Sequence, residues 1–369
     1  MLRKGTFILM KTKIQDMTSG SPGRLIILFA IPLMLGNICQ QLYTMVDTMV
    51  VGQVAGVEAL AALGAVDFLM WVVTGISTGL TQGFSIQLSQ YYGAKDFENL
   101  RKSLAHSYRL TAFIAVGVLI LSQSFAALVL TGLHTPSNII GMSLLYLRII
   151  FCGIPATAAY NMFASALRAM GNSKTPLTAM IIASVLNVSL DLLFVAGFGW
   201  GVAGAAIATV IAQSFSAVYC FLILRRIDIV HLTKADFMSA SGMNARLMKL
   251  GIPVVFQNII IGVGGLVVQY VINGYGFLFV AGFTATNKLY GLLEMAAISY
   301  GYAIVTYVGQ NLGAGKIDRI RKGVRSSMLL SLLTSLIISA AMFLFGKNIL
   351  SLFISGEPQQ TQQVLAIAF

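Results

Sequence analysis

Apolar runs of about 20 residues, long enough for a helix to cross a hydrocarbon layer about 30 Å thick, recur along the whole chain between short polar segments. Boundaries placed at those segments predict helices over about 25–50, 58–92, 103–131, 138–168, 177–197 and 202–224. A polar stretch over 225–246 follows, carrying Asp228, Lys234 and Asp236 without apolar periodicity. Three more helices are then predicted over about 247–272, 278–309 and 324–345. The expected fold is therefore an all-α polytopic membrane protein, because only helices and closed barrels satisfy their backbone groups in lipid.

The pattern repeats. IPLMLGN at 31–37 recurs as IPVVFQN at 252–258, and QYYGAKDFENLRKS starting at Gln90 recurs as QNLGAGKIDRIRKG starting at Gln310. Six predicted helices separate the copies, so both run in the same direction, related by an axis along the membrane normal. This divides the chain into an N-terminal segment (1–24), a six-helix lobe (25–224), a linker (225–246) and a second lobe (247–369). A second lobe matching the first would reach about residue 445, so twelve helices are expected in a complete chain. About nine, plus the start of a tenth, are expected here, and a C-terminal truncation accounts for the difference.

Composition agrees: 57% of residues are hydrophobic and 10% charged. The net charge of +12 does not form one basic face; blocks of Lys and Arg alternate with the spans, which argues against nucleic-acid binding. Nearly all of them fall at the N-terminus and in the segments after helices 2, 4, 6 and 8, with Lys347 alone on the other side, and those segments are expected to be cytoplasmic. Arg148 and Lys288 lie within spans, where snorkelling and a buried ion pair are both open readings. Cys39, Cys152 and Cys220 lack the paired spacing of a zinc or redox motif, and no HExxH, GxSxG or P-loop pattern occurs, so an enzyme is not expected.

Polar residues inside the apolar helices carry the candidate chemistry. An ionised Asp in hydrocarbon costs on the order of 3 kcal/mol even by insertion measurements, so it marks an ion or proton site. Asn187 and Asp191 lie four apart on one helical face, and Thr209 returns toward them after the glycine-rich turn at 197–204. Tyr43 and Asp47 form a similar pair near the end of helix 1. Counted back from the loops, Asp47, Asp191 and Thr209 share a depth of roughly 8 to 12 Å. A hard cation such as Na⁺ wants several oxygen ligands, which two carboxylates, an Asn carbonyl and a Thr hydroxyl supply; a proton needs one carboxylate. The competing reading is structural: Asp47 at the interface, and Asp191 bonded to Asn187 or Arg148. Pro32 is expected to bend helix 1 or act as a hinge. Asp67 and Glu294 are further acids that a cavity for cationic substrates could use, although Glu294 could instead pair with Lys288 in the same helix.

IPLMLGN with the downstream VDTMVVG, QLSQYYGAKD, LRAMGNSKTP and LNVSLDLLFVAGFGWGVAGAAIATVIAQ together resemble the multidrug and toxic compound extrusion (MATE) transporters. The resemblance extends from Ser19 to Phe369. It implies two six-helix lobes around a central cavity, antiport of organic cations against Na⁺ or H⁺, no cofactor beyond that coupling ion, a monomer in the cell membrane and a cytoplasmic N-terminus. Carried over, the first-lobe site of the DinF-like branch falls on Asp47, Asn187, Asp191 and Thr209, with Tyr43, Tyr146 and Asn161 as hydrogen-bonding neighbours. The NorM-like branch uses acids of helices 7 and 10, and helix 7 here has none. Two alternatives stand beside this: a lipid-linked oligosaccharide flippase of the same superfamily, against which the acids at 47, 67, 191 and 294 argue, and an inactive remnant.

Overall fold

A computed structural model describes residues 14–133, 135–238, 241–273 and 277–351. Its helices are α1 (Pro22–Val54), α2 (Val57–Gly64), α3 (Asp67–Gly93), α4 (Phe97–Gly132), α5 (Ile140–Cys152), α6 (Ile154–Ala169), α7 (Lys174–Asp191), α8 (Gly201–Leu224), α9 (Met243–Asn273), α10 (Phe277–Gly313) and α11 (Ile317–Ser351). Among the described residues seven helical segments are long and apolar enough to span a membrane, or eight if α5 and α6 form one bent span. The fold is an all-helical membrane bundle.

Two predicted helices are broken. The 58–92 helix divides at Ala65 and Val66 into α2 and α3, so Asp67 begins a helix, exposed, in the first turn of α3 where an acid suits the helix dipole. The 138–168 helix divides at Gly153, where α5 and α6 meet at 46°. Pro155 in the first turn of α6 has no N–H to give the preceding turn, and Gly153 fits tightly against Val210. α1 and α11 also run beyond their predicted ends, α1 to Val54. Pro32 lies buried inside α1, which stays helical on both sides of it. The 225–246 stretch forms two 3₁₀ turns, Asp228–Val230 and Lys234–Phe237.

Packing follows the sequence repeat. α1 packs on α10 as α9 packs on α3, and α3 packs on α10 between them. Both motif asparagines donate across this seam: Asn37 Nδ2 to Ser299 Oγ at 3.2 Å, and Asn258 Nδ2 to the Gly75 carbonyl at 3.0 Å. At the basic end of the bundle the second motif meets its own copy. A Cβ on Gly93 would overlap the Gln310 carbonyl, and one on Gly313 would overlap the Gln90 carbonyl, so both must be glycine for the backbones to touch. Each copy ends in the same left-handed turn, at Lys95 (φ 58°) and Gly315 (φ 70°).

Among the described residues, three apolar cores hold the bundle. One joins α1, α2, α4, α5 and α8 away from the basic end, around Val51, Leu147, Phe151 and Val195. A second lies nearer the basic end, around Phe84, Leu104, Leu167 and Cys220, and takes in Val230 of the linker. The third sits between the halves, where Met17, Ile26 and Phe29 meet Tyr300, Ala303 and Tyr307. Arg168 of α6 also stacks on the Tyr302 ring of α10, its guanidinium carbon 4.6 Å from the ring centroid.

Candidate functional site

Three helices bring the predicted residues together. α7 packs on both α1 and α8, so the inner faces of all three meet. α7 ends as an α-helix at Asp191 and continues as a π-helical turn, Leu192–Gly197, in which Phe198 N–H donates to the Leu193 carbonyl at 2.9 Å. A π turn widens the helix, and such turns cluster at functional positions. The sequence pattern predicted an ordinary helix through Gly197; apolar periodicity does not distinguish i→i−4 from i→i−5 bonding.

Asn187 and Asp191 are wholly buried and Asp47 is 5% exposed. Asn187 Nδ2 donates to Thr209 Oγ1 at 3.4 Å, closing the predicted link between α7 and α8. Tyr43 Oη accepts from Gln213 Nε2 at 3.3 Å, which ties α1 to α8 one turn away. Asp47 acts electrostatically on Asp191, and Asp67 acts on Asp47. Tyr146, buried in α5, feels the charges of Asp47, Asp67 and Asp191. Asn161 instead donates to Thr78 Oγ1 of α3 at 3.2 Å. Glu294 is exposed on α10, and the Lys288 side chain proposed to pair with it lies outside the described side chains.

Among the described residues, four buried oxygens at this centre accept no hydrogen bond: Asp47 Oδ1, Asn187 Oδ1 and both carboxylate oxygens of Asp191. Among the described residues the Asp191 oxygens receive no bond from Asn187, whose amide is turned to Thr209, or from Arg148, which is exposed and whose backbone carbonyl accepts from Gln123. An unmet buried acceptor costs about 1–3 kcal/mol, and more when charged, which makes this cluster a candidate site for a proton or cation. Gln213 was missed in the sequence, although it stands four residues beyond Thr209 on α8; its Oε1 is also buried and unmet. A groove of about 870 Å³ between α10 and α11, lined by Tyr300, Ile304 and Arg325 among others, holds none of these residues.

An all-helical bundle whose described residues hold seven or eight segments long and apolar enough to span a bilayer defines a polytopic membrane protein. The chain belongs to the MatE family, which it matches over residues 32–193 and 253–369. It is similar to the probable multidrug resistance protein YpnP of Bacillus subtilis (strain 168), 31% identical over 346 residues that cover 94% of this chain and 77% of that protein. The probable multidrug resistance protein YoeA of the same organism is 29% identical over 351 residues, covering 93% of this chain and 76% of YoeA. Among solved structures, a MOP superfamily transporter from Pyrococcus furiosus Vc1 (DSM3638) shares the fold with a TM-score of 0.90 at 23% identity, over 97% of this chain and 79% of that one. The family and these relatives are membrane transporters, not enzymes.

Proposed function

We propose that this chain works as a secondary antiporter, exporting organic cations in exchange for Na⁺ or H⁺ taken up at Asp47, Asn187, Asp191 and Thr209. The four unmet buried oxygens carry the reading, since they form an acceptor set without a donor. Two carboxylates repel each other when both are charged, and a bound cation or proton removes that repulsion. Its arrival from outside lets α1 repack, with Pro32 as the point where a missing backbone hydrogen bond makes bending easy. Coupling then follows from differential affinity: the ion favours one state and the exported cation the other. In this reading the basic end faces the cytoplasm of a cell membrane, with the N-terminus on that side.

The acids of the first lobe also favour a cationic substrate over the anionic pyrophosphate of a flippase substrate. Ethidium export from cells tests the proposal, comparing the wild-type chain with Asp47→Asn and Asp191→Asn under imposed Na⁺ and proton gradients. Both variants are expected in the membrane at normal levels with export reduced to that of the empty vector, and the gradient that drives the wild type names the ion. Undiminished gradient-driven export by Asp191→Asn would remove the site from the mechanism.

A further inference from the structure

Residues 15–18 precede α1 and lie across the seam between the two halves at the basic end. Gln15 N–H donates to the Gly171 carbonyl at 3.2 Å, in the turn between α6 and α7. Gly171 takes a positive φ, and a Cβ there would overlap the Gln15 carbonyl, so the turn is fitted to the segment. Met17 is wholly buried, its side chain in the core shared by α1 and α10. Its N–H donates to Gln310 Oε1 at 3.0 Å, and its carbonyl accepts from Asn311 Nδ2 at 3.0 Å and Arg319 Nη2 at 3.4 Å. Gln310 Nε2 in turn reaches the Ala169 carbonyl of the first half at 2.8 Å, and Lys316 Nζ holds the Thr18 carbonyl at 2.9 Å.

The repeat sharpens the observation. At the positions equivalent to Asn311, Lys316 and Arg319 the first copy has Tyr91, Asp96 and Asn99. The second copy thus carries the donors that receive this segment. Gln310 and Asn311 are both wholly buried; Met17 supplies a donor to Gln310 Oε1, and its carbonyl shares Asn311 Nδ2 with that of Tyr307.

We propose that residues 15–18 are a latch that holds the basic end of the bundle shut and must leave the seam each time that end opens. This rests on the two-state antiport reading above, taken as alternating access from the two sides of the membrane, but its test does not need transport. The segment's own backbone is bonded to the Gly171 carbonyl of the first half and to the Gln310, Asn311, Lys316 and Arg319 side chains of the second, so it ties the halves together while it stays seated. Releasing it frees a Met side chain and three side-chain donors, Asn311, Lys316 and Arg319, at once, which makes opening an all-or-none step.

The test is maleimide labelling of Met17→Cys in a chain whose Cys39, Cys152 and Cys220 are replaced, with reagent applied to the basic side of sealed vesicles. Labelling is expected to be slow, and to quicken about tenfold when Asn311→Ala or Lys316→Ala is added, the shift that about 1.4 kcal/mol produces. Unchanged labelling in both variants, or free labelling without them, would overturn the latch. Because Met17 is a core residue, Thr18→Cys with Lys316→Cys gives a second, surface pair. Bridging it with a short bis-thiosulfonate is expected to lock the basic end, so that Ser173→Cys, buried in the turn between α6 and α7, stays unlabelled until reductant is added. A Ser173→Cys label indifferent to the bridge would also overturn it. Failure of Asp191→Asn to affect export would leave these labelling results standing.

Discussion

Asp191 has no hydrogen-bond donor among the described residues, and its conservative replacement separates function from stability. Asp191→Asn keeps the shape and removes a buried group whose ionised form would repel Asp47. Purified Asp191→Asn is expected to melt higher than the wild type, by an amount on the order of 1–3 kcal/mol, while losing coupled transport. A lower melting temperature would mean that the carboxylate is bonded in the resting protein. Gly93 and Gly313 make the opposite case, since each lies against a carbonyl of the other repeat. Gly313→Ala should cost about 1–3 kcal/mol of overpacking or force the seam apart, read as a lower melting temperature or faster labelling from the basic side. Asp47, Asn187, Asp191 and Thr209 were legible in the sequence because acids and amides are conspicuous in apolar helices. Gln213 was not, because one glutamine in a helix does not reveal whether it meets a partner or lipid headgroups.

Elements were legible in number more than in shape. The apolar runs predict the segments at 58–92 and 138–168, but a run of hydrophobic residues reads the same whether the helix continues or turns through 46°. Pro155 was the available signal for the second break, and its place in the first turn of α6 rather than mid-helix was not. The linker carries its own order. Thr233 N–H donates to Asp236 Oδ2 at 2.7 Å, the Thr233 hydroxyl donates to the same oxygen at 2.8 Å, and Arg101 Nε lies 3.7 Å from Asp236 Oδ1. His106 and Arg109 of α4 also meet the backbone carbonyls of Met238 and Phe237. Partial burial acts to raise the Asp236 carboxyl, but the Thr233 bonds and the charges of Arg101 and Lys102 outweigh it and hold it below its ordinary 3.8. A depressed acid stabilises the fold above its unfolded value and loses that contribution as pH falls through the folded one. Protection of the Thr233 amide from exchange, corrected for intrinsic rate, should therefore hold at pH 5 to 7 and decline below about 3.8. In Asp236→Asn it should be low throughout; equal protection in the variant would show that the capping box does not order the linker.

At the scale of the whole molecule the repeat organises everything else. It predicted parallel halves, and the packing of α1 on α10 and of α9 on α3 gives that symmetry a physical form. What the repeat could not reveal is where the halves differ. The unmet oxygens lie in the first half, while the donors that grip residues 15–18 lie in the second. In the proposed reading, ion handling and closure of the basic end fall to different copies of the repeat, joined at the α1–α10 seam where Asn37 meets Ser299.

The most direct measurement is simultaneous: ethidium leaving and Na⁺ or H⁺ entering proteoliposomes that contain the purified chain, recorded for the wild type and for Asp191→Asn. Coupled exchange through the buried acidic cluster predicts that both fluxes occur together in the wild type, in fixed ratio, and that both vanish in the variant. Ethidium movement that persists in Asp191→Asn with its counter-ion flux intact would contradict it.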